Sequence, residues 1–201
     1  MVFVLALPWL SWAQLAWGAM AGMQITDINS DLPSSSQIGF QGGVFGEIDA
    51  ILIGARAEAV LSGKGAEVQL DLEDPMNGRV VVKSDVDLLY LDLPLMFNVS
   101  PNPAIELYVG PLFSIKLSDK IESRVVEGSL SIPIEDIERD LKFNGLDLGL
   151  LLGVGFNLSK FDLGARYNLG IDTAGSYRVG SISGDFSNRA WLFYLGYRFQ
   201  D

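Results

Sequence analysis

Strict alternation of apolar and polar residues recurs in eight segments of the chain, and this feature constrains the fold most. Between residues 161 and 171 the odd positions hold Phe, Leu, Ala, Tyr, Leu and Ile, and the even positions hold Asp, Gly, Arg, Asn and Gly. Period two indicates a β-strand, because successive side chains point to opposite sides of a sheet. The other segments are 15–25, 38–48, 51–61, 89–99, 105–115, 148–158 and 191–199.

One face of these segments is free of polar side chains. Its positions hold no Asp, Glu, Lys, Arg, Asn, Gln, Ser or Thr. A soluble barrel such as a lipocalin has its charges outside and an apolar interior, and it is the alternative here. We predict the inverse, an all-β fold that is an eight-stranded antiparallel up-and-down transmembrane β-barrel in the bacterial outer membrane. The opposite face carries the charges Glu47, Arg56, Glu58, Asp92, Glu106, Asp162, Arg166 and Arg198.

The lengths of the segments and of their links support this prediction. Each segment has about nine to eleven residues, as a tilted membrane strand requires. The links alternate between short and long, which is the pattern of periplasmic turns and extracellular loops. The short links are 49–50, 100–104 and 159–160, and the long ones are 26–37, 62–88, 116–147 and 172–190.

The N-terminus has features of a secretory signal peptide. An apolar run at 2–7 is followed by Ser11-Trp12-Ala13, although no Lys or Arg precedes the run. We predict a signal peptide at 1–14, cleaved near Ala13 or Gln14, and a barrel domain at 15–201. The alternative, an N-terminal membrane helix through Met23, is weakened by Pro8 and two glycines.

The charged face predicts how the lumen is filled. Eight strands enclose an interior just wide enough for side chains. By height, Arg56, Glu58, Asp92 and Arg166 should form a middle layer. Glu47, Glu106, Asp162 and Arg198 should form a layer nearer the periplasm. We expect these charges to pair as a plug; a narrow ion or proton path is the alternative.

Aromatic residues and prolines add two expectations. Aromatic side chains near both ends of the strands should form girdles at the two membrane interfaces. Pro94 and Pro111 lie inside strands and should each produce a bulge or register shift. The girdle residues are Trp17, Phe40, Phe97, Phe113, Phe156, Phe161, Trp191, Tyr197 and Phe199.

Several segments resemble the outer-membrane β-barrel domain of Bacteroidota, the PorT-like family. They are YLDLPLMFNVS at 90–100, IELYVGPLFS at 105–114, LDLGLLLGVGF at 146–156, FDLGARYNLGI at 161–171 and FYLGYRF at 193–199. The resemblance implies a small outer-membrane barrel that carries proline in the strands holding Pro94 and Pro111. It implies no general activity, and some relatives support protein secretion. The last strand also resembles the signal read by the barrel-assembly machinery.

Composition excludes several functions. A net charge of -11 argues against nucleic-acid binding. Without His or Cys, most hydrolase mechanisms and metal sites lose their central residues, so we predict no enzyme and no cofactor. Asp71, Glu73 and Asp74 are weak candidates for a hard cation, and a solvated acidic turn is favoured over that site.

We predict a non-enzymatic outer-membrane barrel with a filled lumen, acting through long extracellular loops in binding or envelope support. The alternatives are an accessory component of a secretion or transport assembly, or a narrow ion-conducting barrel. The expected partners are outer-membrane lipid, the barrel-assembly machinery and an envelope or secretion protein. In the third long loop, residues 131–143 could form a short helix, cap the mouth, contact a partner or continue the strands.

Overall fold

The structure is a computed structural model that describes residues 14–29, 34–50, 52–74, 78–128, 141–171, 175–179 and 182–199. No helix in these residues is long and apolar enough to cross a membrane. The described strands are β1 (Gln14–Asn29), β2 (Ser34–Ala50), β3 (Ile53–Asp74), β4 (Gly78–Asn102), β5 (Ile105–Glu127), β6 (Leu141–Phe143), β7 (Leu146–Leu158), β8 (Phe161–Gly170), β9 (Gly175–Val179) and β10 (Ile182–Arg198).

Eight of these strands form a closed antiparallel ring. The order is β1-β2-β3-β4-β5-β7-β8-β10, and β10 pairs with β1 to complete it. The predicted eight-stranded up-and-down barrel is therefore confirmed. The two remaining strands lie beside one end of the ring, where β9 pairs with β10 and β6 pairs with β9.

The register around the ring determines the tilt of the strands. Directly paired residues lead from Leu15 once around the ring and back to β1 at Ile25, ten residues further on. This stagger over eight strands corresponds to a tilt of about 40°. A strand of eleven residues then rises about 25 Å, which is the height of the apolar band on outer-membrane barrels. The path runs through Leu15, Ile48, Ala55, Phe97, Val109, Leu152, Tyr167, Trp191 and Ile25.

The two faces of the wall are as the alternation predicts. In the predicted segments, the outward positions that the structure describes are all exposed or partly exposed. The inward positions are buried or partly buried, except Leu52 in a turn. Large apolar side chains thus cover the outside, among them Phe97 at 69% exposure.

Two ring strands show that the long links were assigned wrongly. β4 has 25 residues and β5 has 23, so both continue well beyond the predicted segments. The predicted segments end where the outward face becomes polar, but the backbone ladder between β3 and β4 continues to Asp74 and Gly78. The supposed loop 62–88 is strand at 62–74 and 78–88, and the supposed loop 116–147 is strand at 116–127, 141–143 and 146–147. The other two long links, 26–37 and 172–190, also contain strand, at 26–29 and 34–37 and at 175–179 and 182–190. Residues 131–140, where a helix was one expectation, lie outside the described residues.

The polarity of the two faces inverts along β4. In the lower part, outward Leu93 and Leu95 are apolar and inward Asp92 is charged. In the upper part, Val86 and Leu88 point inward and are buried, whereas Lys83, Asp85 and Asp87 point outward. The change occurs at Leu89. An apolar exterior below this residue and a charged exterior above it indicate two different surroundings.

The predicted bulges at Pro94 and Pro111 are wrong. The pairs Leu91 with Ile115 and Phe97 with Val109 keep one register across Pro94. The pairing of β5 with β7 is equally continuous through Pro111. The nearest shift in the ladder between β4 and β5 lies at Leu89 and Tyr90. The neighbouring ladder hydrogen bonds hold the register, so each missing N–H affects its own position only.

The ends of the barrel differ. At the turn end, the described residues between the strands are Leu52, 103–104 and 159–160. The first link was expected at 49–50, but both residues belong to β2, which ends at Ala50. At 103–104 the side chain of Asn102 accepts a 2.9 Å hydrogen bond from the N–H of Ala104, which closes the turn. At the opposite end, β3, β4 and β5 continue together as a three-stranded extension.

Candidate functional site

Buried ion pairs fill the lower lumen, which is the part nearer the turn end of the barrel. Arg56 on β3 donates to Glu58 at 2.6 Å and to Glu47 at 3.3 Å, and it also pairs with Asp162 on β8. Arg166 on β8 binds both oxygens of Glu58, at 2.7 and 2.9 Å. These side chains are almost completely buried. The guanidinium groups therefore connect strands on opposite sides of the ring.

Further contacts continue this network toward the turn end. Arg198 donates to Glu47 at 2.6 Å and to the side-chain oxygen of Asn157 at 2.7 Å. Asn157 donates to Glu106 at 2.6 Å, and the hydroxyl of Tyr108 also donates to Glu106. Seven of the eight charges named from the sequence thus belong to one network. The two predicted layers are joined in it, because Asp162 of the layer nearer the periplasm binds Arg56 of the middle layer.

Asp92, the eighth charge, lies apart from this network. Its carboxylate accepts a 2.9 Å hydrogen bond from Lys64, which also donates to Ser114 at 3.1 Å. The assignment of Asp92 to the layer of Arg56 and Glu58 is therefore wrong. Lys64 was missed because it was placed in a loop, whereas β3 continues and Lys64 keeps the inward parity of Arg56 and Glu58. Extending the alternation by two further inward positions, to Ser62 and Lys64, would have identified Lys64 as a lumen residue.

An apolar layer lies between the ion network and the Lys64 pair. Along β3 the inward residues run from Glu58 through Val60 and Ser62 to Lys64. The same order occurs on β5, where Tyr108 is followed by Leu112 and then Ser114. Tilted strands bring residues from several positions to one height. The residues of this layer are Val60, Leu112, Leu151 and Leu192, each buried to 5% exposure or less.

Inward glycines make room for the large lumen side chains. A Cβ atom on Gly155 would overlap the ring of Tyr108, and one on Gly164 would overlap the ring of Tyr194. The hydroxyl of Tyr194 donates to Asp162 at 3.2 Å. Arg166 lies over the Tyr194 ring, 4.0 Å from its centroid. The aromatic rings therefore pack among the ion pairs and exclude water from them.

The weak metal candidates lie at the far end of β3. The backbone of Asp71, Glu73 and Asp74 pairs with β4, so these residues belong to a strand and not to a loop. Their side chains lie outside the described residues. Among the described residues, no group of three or more acidic side chains could hold a metal ion.

Comparison with known families identifies the barrel. A family model described as "Outer membrane protein beta-barrel domain" matches residues 12–173. The chain belongs to this family. It is a bacterial outer-membrane protein, and the ring of eight strands is its membrane-spanning part.

Solved structures of similar architecture have little sequence in common with this outer-membrane barrel. Ail of Yersinia pestis is 16% identical, with coverage of 92% of this chain and 99% of that chain and a TM-score of 0.45. Neisserial surface protein A is 15% identical, with coverage of 93% and 99% and a TM-score of 0.48. OprG of Pseudomonas aeruginosa is 13% identical, with coverage of 93% and 96% and a TM-score of 0.47. No curated protein matches the sequence.

The aromatic residues named for the girdles are on the outer surface of this membrane barrel. All nine are exposed, from Phe113 at 38% to Phe40 at 72%. Trp17 and Phe199 pack against each other at the turn end in a tilted arrangement, with ring centroids 4.7 Å apart. At the other end Trp191 packs on Tyr167 at 4.8 Å. Their assignment to the membrane interfaces remains a prediction.

The three-stranded extension carries its own ion pairs on its outer surface. Glu67 on β3 binds Lys83 on β4 at 2.7 Å and Arg124 on β5 at 3.1 Å. Arg124 also binds Asp85 at 3.0 Å. The hydrogen bond from Lys83, together with the charges of Lys83 and Arg124, lowers the pKa of Glu67 below its usual value. These pairs connect all three strands above the apolar surface of the barrel.

A bulge in β5 keeps the faces of the extension aligned. Leu89 pairs with Ser118 but Tyr90 pairs with Lys116, so Leu117 is the extra residue. The insertion reverses the parity of β5 above this point. Ile121 then packs against buried Val86 and Leu88, and the hydroxyl of Ser123 lies 2.8 Å from that of Ser84. The extension therefore has an apolar inner side and a charged outer side.

Proposed function

We propose that this protein is a non-enzymatic barrel whose lumen is a structural plug and whose function lies in its extracellular extension. The observation that carries the proposal is the filling of the lumen. Seven paired charges occupy its lower part, and Val60, Leu112, Leu151 and Leu192 form an apolar layer above them. Such a layer opposes the passage of hydrated ions, because ions lose their hydration on entering it.

The arrangement around Ser114 supports the absence of catalysis. Its hydroxyl lies 3.1 Å from the ammonium group of Lys64, which is the spacing of a serine–lysine pair. However, Lys64 also donates to the Asp92 carboxylate at 2.9 Å. Lys64 is the donor in both hydrogen bonds, so the Ser114 hydroxyl accepts from the lysine and is not arranged to give it a proton.

The extension supports a binding role. β4 continues for eleven residues beyond Leu89, which is up to about 36 Å along the strand. Short turns lie on the periplasmic side of outer-membrane barrels, so the extension is on the outside. Its inner side is packed and its outer side is charged, as in a surface that stays folded in water. We propose an envelope or extracellular protein as its partner.

The finer assignments are part of this proposal. The resemblance to PorT-like proteins favours a role near a secretion assembly as the second candidate function. The aromatic C-terminal strand, with Tyr197 and Phe199 exposed, supports recognition by the barrel-assembly machinery. The signal peptide at 1–14 is proposed from its sequence, and residues 1–13 lie outside the described residues.

Planar-bilayer recording tests the plug. We expect no unitary current steps from the wild-type barrel, and none from Arg56→Ala at moderate voltage, because the apolar layer is still present. Steps in the wild type that change in size with Arg56→Ala would show a conducting path and overturn the plug.

A shortened extension tests the binding role. Replacing residues 71–81 with a two-residue Asn-Gly turn joins Leu70 to Val82, which are direct partners, so the remaining register is kept. Chemical cross-linking in whole cells should yield adducts with the full-length protein that disappear with the shortened one. Identical adducts from both proteins would mean that the partner binds another surface. That result would favour the second candidate function, in which a secretion assembly contacts the barrel wall.

A further inference from the structure

A groove lies on the outer wall of the barrel, over the upper part of β3. Its volume is about 710 Å³, within the range of small-molecule sites. Gly63 forms its floor, since it points outward and a Cβ atom there would meet only the carbonyl of Phe40, at 3.7 Å. Gly65 lies beside it and is covered by the side chain of Gln37. Ile38 and Phe40 on β2 form one wall, and Leu89 on β4 lies on the other side.

The groove exists because the ladder between β2 and β3 is interrupted. Ser36 pairs with Ala66 and Gln41 pairs with Ser62, with a register shift between them. In this interval two side chains of β1 bind carbonyl groups of β3, while the β1 backbone stays paired with β2. The side chain of Gln24 donates to the carbonyl of Gly63 at 2.6 Å, and the hydroxyl of Thr26 donates to the carbonyl of Gly65 at 2.6 Å.

The groove crosses the boundary at which the outer surface changes from apolar to charged. Its lower lining includes Phe40, 72% exposed, and Leu61, 52% exposed. Its upper lining includes Asp87, Ser118 and Lys120. Asp87 and Lys120 are direct partners across β4 and β5. A molecule in this groove therefore meets hydrocarbon-like surface below and paired charges with a hydroxyl above.

The polar lining fits a headgroup with both phosphate and hydroxyl groups. Lys120 has three donors, of which one faces Glu122 at 2.5 Å, and an ammonium group binds phosphate oxygens well. The Asp87 carboxylate accepts hydrogen bonds from hydroxyls but repels phosphate.

We propose that this groove binds one phosphorylated glycolipid of the outer leaflet, with an acyl chain over Gly63, a phosphate on Lys120 and a sugar hydroxyl on Asp87. A phospholipid without a headgroup hydroxyl would leave Asp87 facing the lipid phosphate. The site therefore distinguishes the glycolipid from an anionic phospholipid of similar chain length. This inference is independent of what the extension binds.

Two outward glycines give a matched pair of variants. A Cβ atom on Gly63 would meet only the carbonyl of Phe40, at 3.7 Å, and one on Gly46 would meet nothing within 4 Å. Gly63→Trp fills the groove, and Gly46→Trp adds the same side chain elsewhere on the wall. Heat-modifiable gel mobility of each variant shows that the barrel has formed. Both variants should migrate as folded protein.

The test measures lipid retained by the full chain in detergent, by native mass spectrometry, after incubation with purified lipid A or with phosphatidic acid, which has no headgroup hydroxyl. We expect one lipid A on the wild type and on Gly46→Trp, and about tenfold less on Gly63→Trp. Lys120→Gln should reduce retention of lipid A but not of its dephosphorylated form. Equal retention by Gly63→Trp and Gly46→Trp, or equal retention of phosphatidic acid and lipid A by the wild type, would overturn the proposal.

Discussion

Glu58 and Arg166 lie on strands that face each other across the ring, and two hydrogen bonds of 2.7 and 2.9 Å join them. Three strands lie between β3 and β8 in either direction around the barrel. The pair thus braces the lumen across its full width. Glu58 also accepts a hydrogen bond from Arg56, so one carboxylate serves two guanidinium groups.

Removing one member of this pair should be costly. Arg166→Met leaves a buried carboxylate with one partner fewer, and we expect it to lower the free energy of unfolding by about 3–5 kcal/mol. Urea unfolding in lipid vesicles, followed by tryptophan fluorescence, measures the change. The double variant Glu58→Leu with Arg166→Met should lose less than Arg166→Met alone, because Arg56 keeps Asp162 and Glu47. A double variant as unstable as the two single losses combined would argue against a coupled pair.

A charge on the outer wall should be tolerated only above the apolar band. Leu93→Arg, near the middle of the membrane, should destabilise the barrel by about 2–4 kcal/mol. Val126→Arg is the matched control, because Val126 is 55% exposed on the extension. We expect the control to be nearly neutral in the same vesicle assay. Equal losses at the two sites would contradict the position of the membrane.

The inner side of the extension should behave as a small apolar core. Val86 is fully buried there, so Val86→Asp places a charge without a partner among Leu88 and Tyr90. Limited proteolysis of intact cells should cut the extension of this variant much faster than that of the wild type. Val126→Asp makes the same change at an exposed residue and should leave the cleavage rate unchanged. A resistant Val86→Asp extension would mean that its inner side is not packed.

Acid should loosen the extension through Glu67. Its pKa is lower in the folded state than the unfolded value of about 4.3, so Glu67 stabilises the fold above that pH. This stabilisation is lost as the pH falls through the lower, folded-state value. Glu67→Gln should therefore be cleaved faster than the wild type at pH 7. At strongly acidic pH, with an acid-active protease, the two should become equal. A difference that persists in acid would exclude the carboxylate as its source.

The alternation of residues was sufficient to predict the barrel. Residues such as Asp162 and Arg166 alternate with Phe161 and Leu163 because water, lipid and lumen impose opposite preferences on the two faces. The ends of the strands could not be predicted in this way. Above Leu89 the exterior is aqueous, so outward positions are polar and inward positions are apolar. A strand that continues through this point therefore looks like a polar loop when only its outward residues are considered.

The candidate site was predicted in composition but not in connectivity. Which residues point inward follows from parity, and parity holds wherever the register is regular. The pairing of the charges depends on the stagger of ten residues around the ring. This stagger places Asp162 beside Arg56 and Asp92 beside Lys64. The groove depends on a break in pairing between β2 and β3, for which the sequence offers only the glycines at 63 and 65.

The inversion of polarity at Leu89 is the central claim, and spin-label accessibility along β4 tests it most directly. The chain has no cysteine, so single labels can be placed at Leu93→Cys, Leu95→Cys and Phe97→Cys, and at Lys83→Cys, Asp85→Cys and Asp87→Cys. In lipid vesicles the first three labels should be relaxed by oxygen and the last three by a water-soluble nickel complex. Nickel access at 93–97 equal to that at 83–87 would contradict the account.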